Sequence, residues 1–241
     1  IYYYGIDQQK QRYLPGIASG ELVASYALTE PNSGSDANSA KTRATLSDNG
    51  KNYCLNGQKI WITNGGFADI FIVFAKIEDD KNLSAFIVER NYPGFSVGAE
   101  AKKMGIKGSP TCVLNFDNAK GFLIGKENKG LSSMFTMMNL ERIIVGIQGL
   151  GIAETAYQNS LAYTRERKQG KSNDNKNGET DLILKHADIR RSLMNMKSII
   201  EGQRSLAFWL SQQVDVSLNH SNENIRKEAD EMVSLMTPVV K

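Results

Sequence analysis

The chain has 241 residues, 41% of them hydrophobic and 23% charged, with a formal net charge of +3. Those proportions suit a soluble globular protein with a sizeable core, arranged as one large domain or two modest ones. They argue against a membrane protein, since no apolar run approaches the roughly 20 residues that cross a bilayer, and no secretory signal pattern is present. Lys and Arg form no block apart from neighbouring acids, so a nucleic-acid partner is not expected, while an acidic small ligand fits. Cys54 and Cys112 lack CxxC or Cys/His spacing and read as small core residues rather than a disulfide or metal site.

The first residue is Ile1 rather than Met, and further sequence is expected upstream. From Asp7, DQQKQRYLPGIASG supplies a capping-type residue, a polar helical turn, a Pro15 that restarts a helix and a terminating Gly20. Residues 1–25 therefore read as the tail of a helical domain. Over residues 40–116 the pattern changes to short β-branched and aromatic runs, of which 60–63, 70–75, 83–88 and 112–116 are the clearest strands. Asp48-Asn49-Gly50, Asn56-Gly57, Asn64-Gly65-Gly66 and Tyr92-Pro93-Gly94 between them are residues that tight turns require. An antiparallel β barrel or sandwich is expected over residues 40–116.

Two segments in or next to this region carry candidate chemistry. In YALTEPNSGSDANSA (26–40), small hydroxyl residues around Gly34 let backbone N–H groups approach an anion, and the hydroxyls add donors. An ordinary Gly/Ser interdomain loop is the competing reading. In GQKIWITNGG (57–66), strand alternation puts Trp61 and Thr63 on one face, where an aromatic and a hydroxyl could share a ligand. The alternative is an inward-facing Trp beside an ordinary β-former.

Beyond Gly130 no proline occurs before Pro238, and apolar residues recur at helical intervals over 134–163 and 189–210, predicting two long helices. Between them GKSNDNKNGETD (170–181) has no apolar residue and reads as a mobile surface loop. GIQGLG (146–151) has GxxGxG spacing inside a helical pattern, so close helix packing is preferred over a dinucleotide fingerprint. His186 and His220 lack partners at ligand or triad spacing and read as surface or capping residues.

LTEPNSGSD, QKIWITNGG and NLER followed by a long helix stand in the order and approximate spacing found in acyl-CoA dehydrogenases. The chain resembles that family from about Gly5 onward. KMGIKGSPTC (103–112), ENKGLSSMFTMMNLER (127–142) and GLGIAETAYQNSLAYTRER (149–167) make it similar to the bacterial branch that includes 3-methylmercaptopropionyl-CoA dehydrogenase. The resemblance implies an α+β fold: the antiparallel β barrel or sandwich, then up-down helical bundle segments. Residues 1–25 would end an N-terminal helical domain, 26–125 form the middle β domain and 126–241 begin the C-terminal helical domain.

It also implies FAD as cofactor, with Tyr26, Leu28 and Thr29 lining the flavin and Ser35 meeting the FAD pyrophosphate or the CoA ester. Trp61 would pack on the flavin, with Ile62 and Thr63 near the atom that accepts hydride. Arg142 would meet the CoA nucleotide, and Arg167, in ERKQGK, would reach FAD across a subunit boundary of a homo-oligomer. The implied reaction is α,β-dehydrogenation of an acyl-CoA thioester, with electrons passed to an electron-transfer flavoprotein. Its catalytic carboxylate is expected beyond Lys241; Glu141, in Leu140-Glu141-Arg142, is the alternative. An acyl-CoA oxidase or a non-catalytic scaffold paralogue are the competing functions. The expected location is the bacterial cytoplasm, or the mitochondrial matrix in a eukaryote.

Overall fold

In the computed structural model, which describes residues 1–176 and 178–241, the first element is helix α1 (Asp7–Ser19). It runs through Pro15 instead of restarting there. Proline removes one N–H from the ladder, but Tyr13 is buried and anchors this turn, its hydroxyl donating to Glu89 Oε1 at 2.7 Å. Gly20 ends the helix as expected, in the left-handed region at φ 80°.

Seven strands follow: β1 (Ala24–Ala27), β2 (Arg43–Leu46), β3 (Tyr53–Thr63), β4 (Ile70–Ile77), β5 (Leu83–Glu89), β6 (Phe95–Glu100) and β7 (Thr111–Ile124). Antiparallel pairs run β4–β5, β5–β7, β7–β3 and β3–β2, and a β2–β4 pair closes the ring, so the expected barrel forms. Its closure is parallel, however. β1 and β2 lie along the same edge of β4, Ala27 opposite Val73 and Arg43 opposite Lys76. Residues 28–42 are therefore an excursion from one edge, leaving after β1 and returning as β2. β6 adds to β7.

Inward residues alternate along these strands as the period-two pattern requires. Ala27, Leu55, Phe71, Val73, Phe86, Val88, Leu114 and Phe116 are all buried in one core, and Phe95 packs its ring 4.6 Å from Phe71 and 5.4 Å from Phe116. Each large side chain removed from water contributes about 1.5–3 kcal/mol. Cys112 joins the buried set, whereas Cys54 is only half-buried.

Asn56-Gly57 is not a turn. Both residues lie inside β3, where the register with β7 shifts between Leu55 and Gly57. A side chain on Gly57 would put its Cβ 2.8 Å from Thr42 Cα. Close approach of β3 to the end of the excursion, rather than chain reversal, explains the glycine. Gly94 does serve a turn, at φ 82°, with no room for a Cβ beside the Asp117 carbonyl.

Contacts divide the chain into compact units Ile1–Phe135 and Thr136–Lys241, so the division falls within α2 (Gly130–Thr164). In the second unit Ile143 of α2 shares a core with Ala207 and Leu210 of α3 (Ala187–Asn219) and with Val233 and Val240 of α4 (Glu223–Val240). A Cβ on Gly146 would lie 2.7 Å from the Val240 carbonyl oxygen, the close packing expected of GIQGLG, while Gly149 and Gly151 face open space.

Helix α4 was not anticipated by the two-helix pattern. A polar break at residues 219–222 ends α3, and Asn222 caps the next helix, its Oδ1 accepting from Asn224 N at 2.9 Å and Ile225 N at 3.4 Å. His220 takes part in this cap, its Nδ1 accepting from Asn222 N at 3.1 Å. Of the polar 170–181 segment, Asn177 lies outside the described residues; the remainder is organised around Asp181. That carboxylate accepts from Ser172 N, Ser172 Oγ, Asn175 Nδ2 and Lys185 Nζ, which hold its pKa well below the usual range.

Candidate flavin-edge site on the barrel

The two motif segments meet through the backbone. Ser25 Oγ donates to the Thr63 carbonyl at 2.6 Å, Ile60 N donates to the Thr29 carbonyl at 2.9 Å, and Lys59 Nζ donates to the Leu28 carbonyl at 2.9 Å. Residues 25–29 are thereby laced to residues 59–63. Tyr26, on β1, packs its ring 5.0 Å from Phe74.

Plain alternation would place Lys59, Trp61 and Thr63 on one face. A bulge between Lys59 and Ile62 breaks that pattern, with Trp61 at φ 59°. Lys59 and Ile62 consequently point into the barrel, at 0% and 2% exposure, while Trp61 is 65% exposed and Thr63 is exposed as well. Trp61 and Thr63 are thus both exposed through a bulge, not through the simple alternation expected of the strand. A bulky non-glycine residue in the left-handed region is uncommon and costs of order 1–3 kcal/mol. Ile62, with its side chain in the core, has only its backbone to offer a ligand.

The excursion is held by its own hydrogen bonds. Glu30 and Ser33 exchange backbone bonds of 2.9 and 3.1 Å around Pro31-Asn32, and the buried Ser33 hydroxyl donates to the Asp36 carbonyl at 2.7 Å. Ser35 and Gly34 stand exposed at the tip, with nothing within 4 Å of where a Gly34 Cβ would lie.

Three residues that shape this site escaped the sequence reading. Glu30 and Lys59 form a buried ion pair at 2.7 Å, and Glu30 also accepts from Lys41 N at 2.6 Å and Thr42 N at 3.1 Å. Burial pushes the Glu30 carboxyl up, but Lys59 and the bonds from Thr42 and Lys41 outweigh it and leave the pKa below the ordinary value. Burial draws the Lys59 ammonium down against the opposing pull of Glu30. Arg90 is the third. It donates to the Ala68 carbonyl at 2.6 Å and the Gly65 carbonyl at 2.7 Å, fixing the Asn64-Gly65-Gly66 turn beyond Thr63. Lys59 carried no local signal, since unbroken alternation back from Thr63 would have turned it outward. Glu30 and Arg90 had none, because their partners are distant in sequence.

Glu141, exposed, and the half-buried Arg142 lie on α2 in the second unit. Arg167, exposed, follows that helix, its N–H bonded to the Tyr163 carbonyl and its carbonyl accepting from Ile183 N, both at 2.9 Å.

This barrel and its laced motifs belong to a recognised class. Residues 25–119 match the model of the acyl-CoA dehydrogenase middle domain, and residues 128–229 that of the acyl-CoA dehydrogenase C-terminal domain. The chain belongs to the acyl-CoA dehydrogenase family. A probable acyl-CoA dehydrogenase of Bacillus subtilis is 49% identical over 175 residues, covering 71% of this chain and 29% of that protein. The 3-methylmercaptopropionyl-CoA dehydrogenase of Ruegeria pomeroyi is 36% identical, covering 98% of this chain and 43% of that protein. Among solved structures, an acyl-CoA dehydrogenase of Bacillus anthracis complexed with FAD superposes with a TM-score of 0.82 at 38% identity, covering 96% of this chain and 38% of that one. The chain thus spans less than half the length of these relatives.

Proposed function

We propose that the protein carrying this chain is an FAD-dependent acyl-CoA dehydrogenase, in which the β3 bulge and the Leu28–Ser35 excursion form the edge of the flavin site. The observation that carries this reading is Trp61, held at φ 59° and 65% exposed beside the exposed Thr63. Strain that turns an indole out of a barrel is consistent with a flat aromatic ligand to stack on it. The residues fit FAD chemically: an aromatic face, a hydroxyl on the same outer side, and an open glycine–serine tip with backbone donors for an anion.

When bound, FAD supplies the acceptor for the hydride that leaves the substrate β-carbon. In this reading Trp61 stacks on the isoalloxazine, and the Thr63 hydroxyl and Ile62 backbone orient its reactive edge. Tyr26, Leu28 and Thr29 line the ring, Ser35 binds the FAD pyrophosphate or the CoA ester, Arg142 binds the CoA nucleotide, and Arg167 reaches FAD of a second subunit. A carboxylate downstream of Lys241 removes the α-proton, Glu141 being the alternative base. The substrate is an acyl-CoA thioester, the electron acceptor an electron-transfer flavoprotein, and the assembly a homo-oligomer.

The test is the visible spectrum of the purified full-length protein, followed by anaerobic addition of a series of saturated acyl-CoA thioesters. A flavin spectrum that bleaches with at least one of them is expected. A protein that binds no FAD, or whose flavin no thioester bleaches, overturns the proposal.

A further inference from the structure

We infer that the buried Lys59–Glu30 pair is a positioning device that sets the 28–30 segment against the β3 bulge and so aligns the two halves of the proposed flavin edge. The inference rests on the reading above only in its last clause. Lys59 Nζ bonds the Leu28 carbonyl at 2.9 Å and Glu30 Oε1 at 2.7 Å, bracketing Thr29, whose own carbonyl accepts from Ile60 N at 2.9 Å. Three consecutive residues of the excursion are thus tied to two consecutive residues of β3, immediately before the strained Trp61.

The geometry favours positioning over simple stabilisation. Lys59 is wholly buried inside the barrel, where an apolar side chain of similar length would pack without desolvating a charge. A buried ion pair is weak evidence for stability but specifies an arrangement, because neither charge tolerates another partner at that depth. Glu30 acts at both ends of the excursion: it meets Lys59 next to its start and accepts the backbone N–H groups of Lys41 and Thr42 at its return to β2. One carboxylate therefore closes the loop that carries Thr29, Gly34 and Ser35. Neither Lys59 nor Glu30 is placed against ligand here; both act through the backbone of Leu28 and Thr29 and through the bulge.

Lys59→Met keeps the length and apolar stem and removes the ammonium, and Glu30→Gln keeps an acceptor for Nζ while removing the charge. Each is made in the full-length protein, and three quantities are read: thermal unfolding, amide hydrogen exchange at Thr29 and Ile60, and FAD affinity by flavin fluorescence quenching. For Lys59→Met, faster exchange confined to residues 28–42 and 59–63 is expected, with unfolding still cooperative. FAD affinity should fall by at least about tenfold, the equivalent of one hydrogen bond to a charged group. Glu30→Gln should show the same pattern more weakly. Unchanged exchange at Thr29 and Ile60 in Lys59→Met overturns the positioning role. If Lys59→Met does not fold, Glu30→Gln decides: wild-type exchange with lowered overall stability means the pair is structural only. A wild-type protein that binds no FAD defeats the functional reading instead, and the exchange measurement then tests the positioning of residues 28–30 by itself. Altered exchange with unaltered FAD affinity overturns the link to the flavin edge.

Discussion

Thr63 stands two residues after a tryptophan in a conformation that few bulky residues adopt, and its side chain faces outward while its carbonyl is used by Ser25. The hydroxyl is therefore not part of the internal lacing, and Thr63→Val removes it with little change in volume. Unfolding midpoints should stay close to wild type, while flavin reduction slows by the worth of about one hydrogen bond, near 1 kcal/mol or roughly fivefold. Single-turnover reduction under anaerobic conditions checks this, and an unchanged rate would remove Thr63 from the flavin edge. Gly57 makes the opposite kind of prediction. Its φ of 149° and the 2.8 Å approach to Thr42 Cα leave no place for a methyl group, so Gly57→Ala should destabilise the barrel by about 1–3 kcal/mol in chemical denaturation.

Helix α1 is tied to strand β5 by one carboxylate. Glu89 accepts from Arg12 Nη2 and Tyr13 OH, both at 2.7 Å, and is hydrogen-bonded to Tyr92. Burial raises the Glu89 pKa, but the bonds from Tyr13 and Tyr92 and the Arg12 charge more than reverse this and leave it below the usual value. A depressed carboxyl pKa contributes stability that is present above its unfolded value, about 4.3, and is lost as pH falls through the folded one. The tyrosines move the other way: burial, reinforced by hydrogen bonding to Glu89, pushes Tyr92 up to about 12, and Tyr13 is raised too. Their contribution is present below the unfolded tyrosine value, about 10, and is lost as pH rises through the folded values. Thermal melts should accordingly show Glu89→Gln losing less stability than wild type between about pH 4 and pH 2. Equal slopes for the two proteins would mean that the cluster does not couple α1 to protonation.

At the scale of the whole molecule, the proposed dehydrogenation calls for a carboxylate to take the α-proton. Glu141 lies on α2 of the second unit and is, in that proposal, the alternative to a carboxylate elsewhere in the full-length protein. We expect Glu141→Gln in the full-length enzyme to leave bleaching of the flavin by acyl-CoA mostly intact. Were Glu141 the base, the loss should be at least about 10²-fold with substrate affinity largely kept, since Gln preserves shape and hydrogen bonding. Anaerobic titration at matched flavin content distinguishes the two.

The sequence by itself determined what is local or periodic. Strand runs such as Ile70–Ile77 and Leu83–Glu89, the glycine turns at 64–66 and 92–94, the long helical stretches and the linked LTEP, WITN and NLER motifs were all legible, because each is encoded in neighbouring residues. It misread what depends on partners far along the chain. Asn56-Gly57 has the composition of a turn, yet the approach of Thr42 keeps it within a strand. Parallel closure of the barrel along β4, the burial of Lys59 against Glu30 and the clamp of Arg90 on the 64–68 turn join residues separated by more than twenty positions. Only the tertiary structure decided them, since a charge can be buried only where the fold brings its counter-charge, and a bulge can turn Trp61 outward only where β7 sets the register against it.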